Sequence, residues 1–172
     1  MGFRASWIAV EGMSEDALLR QLRRKRTGES EAEHYDPGMV VLRRQPWTIL
    51  FGDGSDHFME IGADDAAACS AEHRVLFLSL NDTAMQSELR CFEHGVEVWS
   101  VVKNAGEPRP PAVTGSAPAS LAAILARLKG EQAGQGDVDY WYEAPAELAK
   151  VLTGFRHDSP ESDGGFHGVM RA

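Results

Sequence analysis

The sequence predicts an α+β domain: a mainly antiparallel sheet of about six or seven strands with three helices. Short segments rich in apolar and β-branched residues follow one another closely and are separated by turn residues, which is typical of antiparallel strands. Helical apolar periodicity occurs only towards the two ends of the chain. With 172 residues, 43% of them apolar, the chain suits one domain. We expect a single globular domain over residues 1–155 and a polar C-terminal tail over residues 156–172.

The first third of the chain predicts a strand, a helix and two further strands. Residues 3–10 form the first strand, and Ser14 can then cap a helix. The basic cluster 23–26 suits the last turn of that helix because cations stabilise the negative end of the helix dipole. Strands are predicted next at 39–42 and 47–51.

The middle of the chain predicts an antiparallel meander. Residues 75–80 are apolar on both faces, which is the pattern of a central strand. Strands at 87–93 and 96–102 follow, joined by a turn at His94-Gly95.

The last third predicts two helices, one strand and the tail. A helix begins near Pro118 and carries a one-sided apolar stripe. Residues 138–143 predict a strand, and Pro145 opens a short helix. The remainder is polar, and we expect it to be mobile or pinned only at Phe166.

Two acidic groups account for much of the net charge of −9. Such a charge argues against nucleic acid and anionic membranes as partners, because both are polyanions. The first group is Asp53, Asp56, Glu60, Asp64 and Asp65. The second is Asp137, Asp139 and Glu143, in the predicted strand that also carries Trp141.

These groups favour a small acidic binding protein without a cofactor. Its acidic residues would form a face for a basic protein partner, as in immunity or inhibitor proteins that bind cationic nucleases. Two cysteines are too few for a disulfide framework, and no apolar signal core is recognised. We therefore expect a cytoplasmic location.

The alternative is an enzyme or ligand-binding domain with an aromatic pocket on the sheet. The residues of this pocket would be Trp99, Trp141, Cys91 and His94. Aromatic residues on strands also serve as ordinary core, so the pattern alone does not separate the two functions.

A zinc-dependent form of this alternative rests on Cys69, His73, Cys91 and His94. Pairing of the strands at 75–80 and 87–93 would bring these four zinc-type ligands towards one end of a hairpin. The same residues permit a Cys–His nucleophile pair. Their spacing matches no common zinc module, and a buried thiol is a usual core residue, so we predict no metal site.

Overall fold

The computed structural model describes residues 3–31, 38–57, 60–106, 109–134, 138–158 and 165–172. In this part of the chain, nine strands form one sheet in the order β2-β9-β3-β4-β1-β5-β6-β7-β8. All neighbouring strands are antiparallel. The strands are β1 (Arg4–Glu11), β2 (Arg24–Glu31), β3 (Met39–Arg44), β4 (Trp47–Asp53), β5 (Val75–Asn81), β6 (Gln86–Glu93), β7 (Val96–Lys103), β8 (Ala112–Gly115) and β9 (Phe166–Arg171).

Helices pack on both faces of this sheet. They are α1 (Glu15–Gln21), the single turn α2 (Gly54–His57), α3 (Ala63–Cys69), α4 (Ser120–Gly134) and α5 (Ala144–Thr153), with a 3-10 turn at Tyr140–Glu143. α4, α5 and the 3-10 turn share one buried cluster with one face, which we call the α4/α5 face. α1 and α3 cover part of the opposite face, the α1/α3 face.

The central strand β1 shows why both faces need cover. Trp7 lies on the α4/α5 face, whereas Ile8 and Val10 lie on the α1/α3 face. All three side chains are fully buried. Because successive residues of a strand point to opposite faces, an apolar run of this kind is stable only between two layers.

The predicted α+β class and antiparallel sheet are confirmed, but the predicted number of elements is wrong. The described chain has nine strands and four helices longer than one turn. Of the basic cluster 23–26, residues 24–26 lie in β2 and Arg23 directly precedes it; none lies in the last turn of α1, which ends at Gln21. Residues 140–143 form a 3-10 turn where a strand was predicted.

The C-terminal residues differ most from the sequence prediction. Phe166–Arg171 is β9, which pairs with β2 on one side and β3 on the other. Phe166 is fully buried in the cluster of the α4/α5 face. Residues 166–171 are therefore part of the sheet and not a polar tail.

No helix among the described residues combines the length and the apolar character that crossing a membrane requires.

Replacement of Phe166 by alanine tests the structural role of β9. We expect Phe166→Ala to lower the free energy of unfolding by about 3–5 kcal/mol, because it opens a cavity in the core. The control is Met170→Ala on the same strand, where the side chain is 49% exposed; it should change this free energy by less than about 0.5 kcal/mol. Chemical denaturation measures both, and equal losses would contradict a core role for Phe166.

Candidate functional site

An aromatic cleft of about 270 Å³ opens on the α4/α5 face. Its lining includes Trp47, Leu76, Cys91 and Trp99, with the charged residues Arg74 and Glu93. Trp47 begins β4, Arg74 precedes β5 and Glu93 ends β6, so the cleft lies at one end of the sheet. The pairing order β4-β1-β5-β6 brings these ends close together although they are distant in sequence. We call this site the aromatic cleft.

Both tryptophans of the aromatic cleft are held in place. The Nε1–H of Trp47 donates a hydrogen bond of 3.0 Å to the carbonyl oxygen of Leu152 in α5. Trp99 lies opposite Cys91 in the β6–β7 pairing. Trp47 is 3% and Trp99 8% exposed, so the rings form firm walls and not mobile surface groups.

A β-bulge in β7 turns an additional side chain into the aromatic cleft. Cys91 pairs with Trp99 but the next residue of β6, Phe92, pairs with Glu97, which leaves Val98 as an extra residue. A bulge bends the strand and redirects its side chains. Val98 consequently lines the cleft together with its neighbour Trp99.

Gly115 permits β8 to approach this bulge. It pairs with Trp99 and has a φ of +65°, in the left-handed region. A Cβ atom at this position would lie 2.1 Å from the carbonyl oxygen of Val98. Only glycine fits there without a shift of the backbone.

One cationic side chain already lies on a wall of the aromatic cleft. The guanidinium of Arg74 is 5.3 Å from the centroid of the Trp47 ring, a cation–π distance. It also forms a forked ion pair with Glu11, with Nε 3.1 Å from Oε2 and a second nitrogen 3.2 Å from Oε1. Arg74 therefore already has an anionic partner within the protein.

The thiol of Cys91 is part of the cleft floor. Burial, and secondarily the charge of Glu93, raise the pKa of Cys91 to about 12. Burial likewise raises the pKa of Cys69 to about 12. A thiol of such a pKa stays protonated at neutral pH, whereas the nucleophile is the thiolate. Neither cysteine suits the Cys–His nucleophile pair, and Cys91 acts as a small apolar group.

The four zinc candidates do not converge. Cys69 is buried on the α1/α3 face and Cys91 on the α4/α5 face. His73 Nδ1 is 2.8 Å from the carbonyl oxygen of Glu11, and His94 Nδ1 is 3.4 Å from that of Ala71. No group of three potential metal ligands occurs among the described residues.

The first acidic group is dispersed in the structure. The carboxylate of Glu60 is 2.6 Å from Arg24 and 3.3 Å from Arg171, and hydrogen bonding to Arg24 is the main reason why its pKa is lowered. Asp65 accepts a hydrogen bond of 3.0 Å from the backbone N–H of Gly62 at the start of α3. Asp64 is exposed. The side chain of Asp56 lies outside the described part of the structure.

The second acidic group is also engaged in internal contacts. Asp139 forms an ion pair of 2.7 Å with Lys103, whose side chain is only 3% exposed. Glu143 is 2.5 Å from Arg156. Trp141 is buried in the same cluster as α4 and α5 and is not a surface anchor. Asp137 lies outside the described residues.

One residue of each acidic group, Asp53 and Glu143, lines a common cavity of about 490 Å³, which we call the acidic cleft. Its other lining residues include Asp82, Tyr142, Asp158 and the cationic Arg156. The hydroxyl of Tyr142 donates a hydrogen bond of 2.5 Å to Asp82. Burial, followed by this contact with Asp82, raises the pKa of Tyr142. The tyrosine therefore serves as a neutral donor.

Sequence reasoning recovered part of the aromatic cleft. Trp99 and Cys91 line it, whereas Trp141 lies in the core and His94 is not among its lining residues. Trp47, Arg74 and Glu93 were missed because they belong to separate segments. Pairing of β4, β1, β5 and β6 brings these segments together, and no local motif signals that pairing.

The chain was also compared with known proteins. No protein-family model, no curated protein and no solved structure matches it. The functional inference therefore rests on the geometry of the chain itself.

Substitution of Gly115 tests whether close approach of β8 shapes the aromatic cleft. We expect Gly115→Ala to reduce the free energy of unfolding by more than about 1 kcal/mol, because alanine is strained at positive φ and its Cβ collides with backbone. The control is Gly130→Ala within α4, where an added Cβ meets nothing within 4 Å; it should stabilise the protein by about 0.5–1 kcal/mol. Thermal or denaturant unfolding distinguishes them, and two changes of the same sign would refute the strain argument.

Proposed function

We propose that the protein binds a small ligand in the aromatic cleft. The observation that carries this proposal is a partly open cavity with two fixed tryptophans, an apolar floor and two charged residues. Small-molecule sites have this composition: apolar and aromatic walls with few polar groups that orient the ligand. A cavity of about 270 Å³ suits a ligand of one or two rings.

The internal pairing of the carboxylates also favours the aromatic cleft over an extended acidic face. Glu60, Asp139 and Glu143 each have a cationic partner within the chain. A basic protein would have to compete with these partners. A ligand in the aromatic cleft would not have to displace an internal ion-pair partner, because the walls of the cleft are already in place.

Binding of 2-phenylethanol tests the proposed site with a neutral aromatic probe. It should shift the indole N–H resonances of Trp47 and Trp99 and leave those of Trp7 and Trp141 unchanged. Val98→Phe fills the cleft, and we expect it to weaken binding at least about tenfold, or roughly 1.4 kcal/mol. Nuclear magnetic resonance titration gives both the site and the dissociation constant.

The matched control is Val96→Phe on the same strand. Val96 is 60% exposed and is not among the lining residues of the cleft, so this variant should bind the probe as the unchanged protein does. Equal weakening by both variants, or shifts at Trp7 and Trp141 instead, would contradict the proposal.

A second candidate function is recognition of a basic protein partner at the acidic cleft. The observation that favours it is the meeting of Asp53 and Glu143, one from each acidic group, beside Asp82 and Asp158. Carboxylates clustered around a cavity attract an arginine or lysine side chain and accelerate encounter. Glu143 and Asp158 both contact Arg156. Asp53 is chosen for the test because an asparagine there keeps an oxygen acceptor for the N–H of Gly54.

Removal of the Asp53 charge tests this candidate with a hexa-arginine peptide as the probe. Asp53→Asn retains an acceptor for the N–H of Gly54, and we expect it to slow association roughly threefold and to reduce its salt dependence. Asp64→Asn makes the same charge change on α3, outside the acidic cleft, and should have a smaller effect. Stopped-flow mixing at several salt concentrations measures the association rate and its salt dependence. Identical association rates for the two variants would eliminate the acidic cleft as the site.

A further inference from the structure

The charged groups of the aromatic cleft indicate the class of its ligand, an inference that rests on the proposed function. Glu93 lines the cleft and is half-buried. Among the described residues, none forms a hydrogen bond or ion pair with its carboxylate. Arg74, the other charged lining residue, is held by Glu11. The cleft therefore contains one carboxylate whose charge no described side chain neutralises by direct contact.

The charged groups at this end of the cleft sum to one negative charge. Arg74 and Glu93 line the cleft, and Glu11 is paired with Arg74. The charge of Glu93 also contributes, after burial, to the raised pKa of Cys91. An anionic ligand would meet repulsion there, whereas a cation would be attracted.

The tryptophans add to the preference for a cation. The guanidinium of Arg74 over Trp47 shows that a ring of this site accommodates a positive charge. An indole face attracts cations through its quadrupole, and the attraction grows when water is displaced. Trp99 supplies a second indole ring in the same cleft.

We propose that the aromatic cleft binds a small organic amine with a flat apolar group. The apolar group packs against Trp47 and Trp99, and the ammonium pairs with Glu93. This arrangement gives Glu93 the cationic partner that the described chain does not supply. It also leaves the Arg74–Glu11 ion pair intact.

Three probes of similar size and different charge test the proposal: phenethylamine, 2-phenylethanol and 3-phenylpropionate. We expect phenethylamine to bind about tenfold more tightly than 2-phenylethanol, and 3-phenylpropionate to bind more weakly than either. Glu93→Gln should reduce phenethylamine affinity about tenfold and leave 2-phenylethanol affinity unchanged. Dissociation constants follow from the indole N–H shifts of Trp47 and Trp99.

The control is Glu72→Gln, which makes the same charge change at an exposed residue that does not line the cleft. It should alter the affinity for phenethylamine less than twofold. If 2-phenylethanol binds but the amine binds no more tightly, or if Glu93→Gln and Glu72→Gln behave alike, the amine inference is wrong while the proposed function stands. If none of the three probes shifts Trp47 or Trp99, the proposed function fails as well.

Discussion

Helix α5 crosses the sheet between the aromatic and acidic clefts, and both depend on how it packs. At one end, Trp47 donates a hydrogen bond to Leu152. At the other, the hydroxyl of Ser87 in β6 donates to the carbonyl oxygen of Tyr142, just before α5, at 2.6 Å. Beyond the helix, the fully buried Phe155 packs edge-on against Trp7, with ring centroids 6.0 Å apart. Because Leu152 lines the aromatic cleft and Ala146 the acidic cleft, a shift of α5 would alter both sites together.

The acidic composition of the chain does not translate into an equally acidic binding face. Burial acts to lower the pKa of Arg156, but hydrogen bonding to Asp158 and the charge of Glu143 outweigh it, so the pKa is raised and the guanidinium stays charged. Asp139 and Lys103 form an ion pair close to the 3-10 turn. A buried pair of this kind contributes little net stability, because desolvation offsets the attraction, yet loss of one partner leaves an unpaired charge. These carboxylates thus have cationic partners within the chain, close to α5.

The strands with a strong apolar pattern were predictable, and those formed by backbone pairing alone were not. Residues 75–80 and 87–93 coincide closely with β5 and β6, because β5 is buried on both faces and the buried side chains of β6 mostly alternate with less buried ones. β2 has the sequence RKRTGESE and carries no apolar periodicity; it exists through its pairing with β9. All four residues of β8 are exposed, so their sequence contains no burial signal. At 140–143, Asp139 caps the backbone N–H of Trp141, and this local hydrogen bond favours a turn over the strand that the aromatic residues suggested.

The aromatic cleft was predictable only in part, because it results from an interruption of regular packing. The pattern of β6 and β7 identifies Cys91 and Trp99 as inward-facing residues, but no sequence signal reveals that Val98 is a bulged residue. α4 begins at Ser120 and α5 ends at Thr153, and neither helix fills the corner beside the bulge, where the cavity remains. In a close-packed interior, large side chains normally interdigitate and leave few such spaces. Two tryptophans and a half-buried carboxylate at the edge of this cavity are the features on which the proposed ligand site rests.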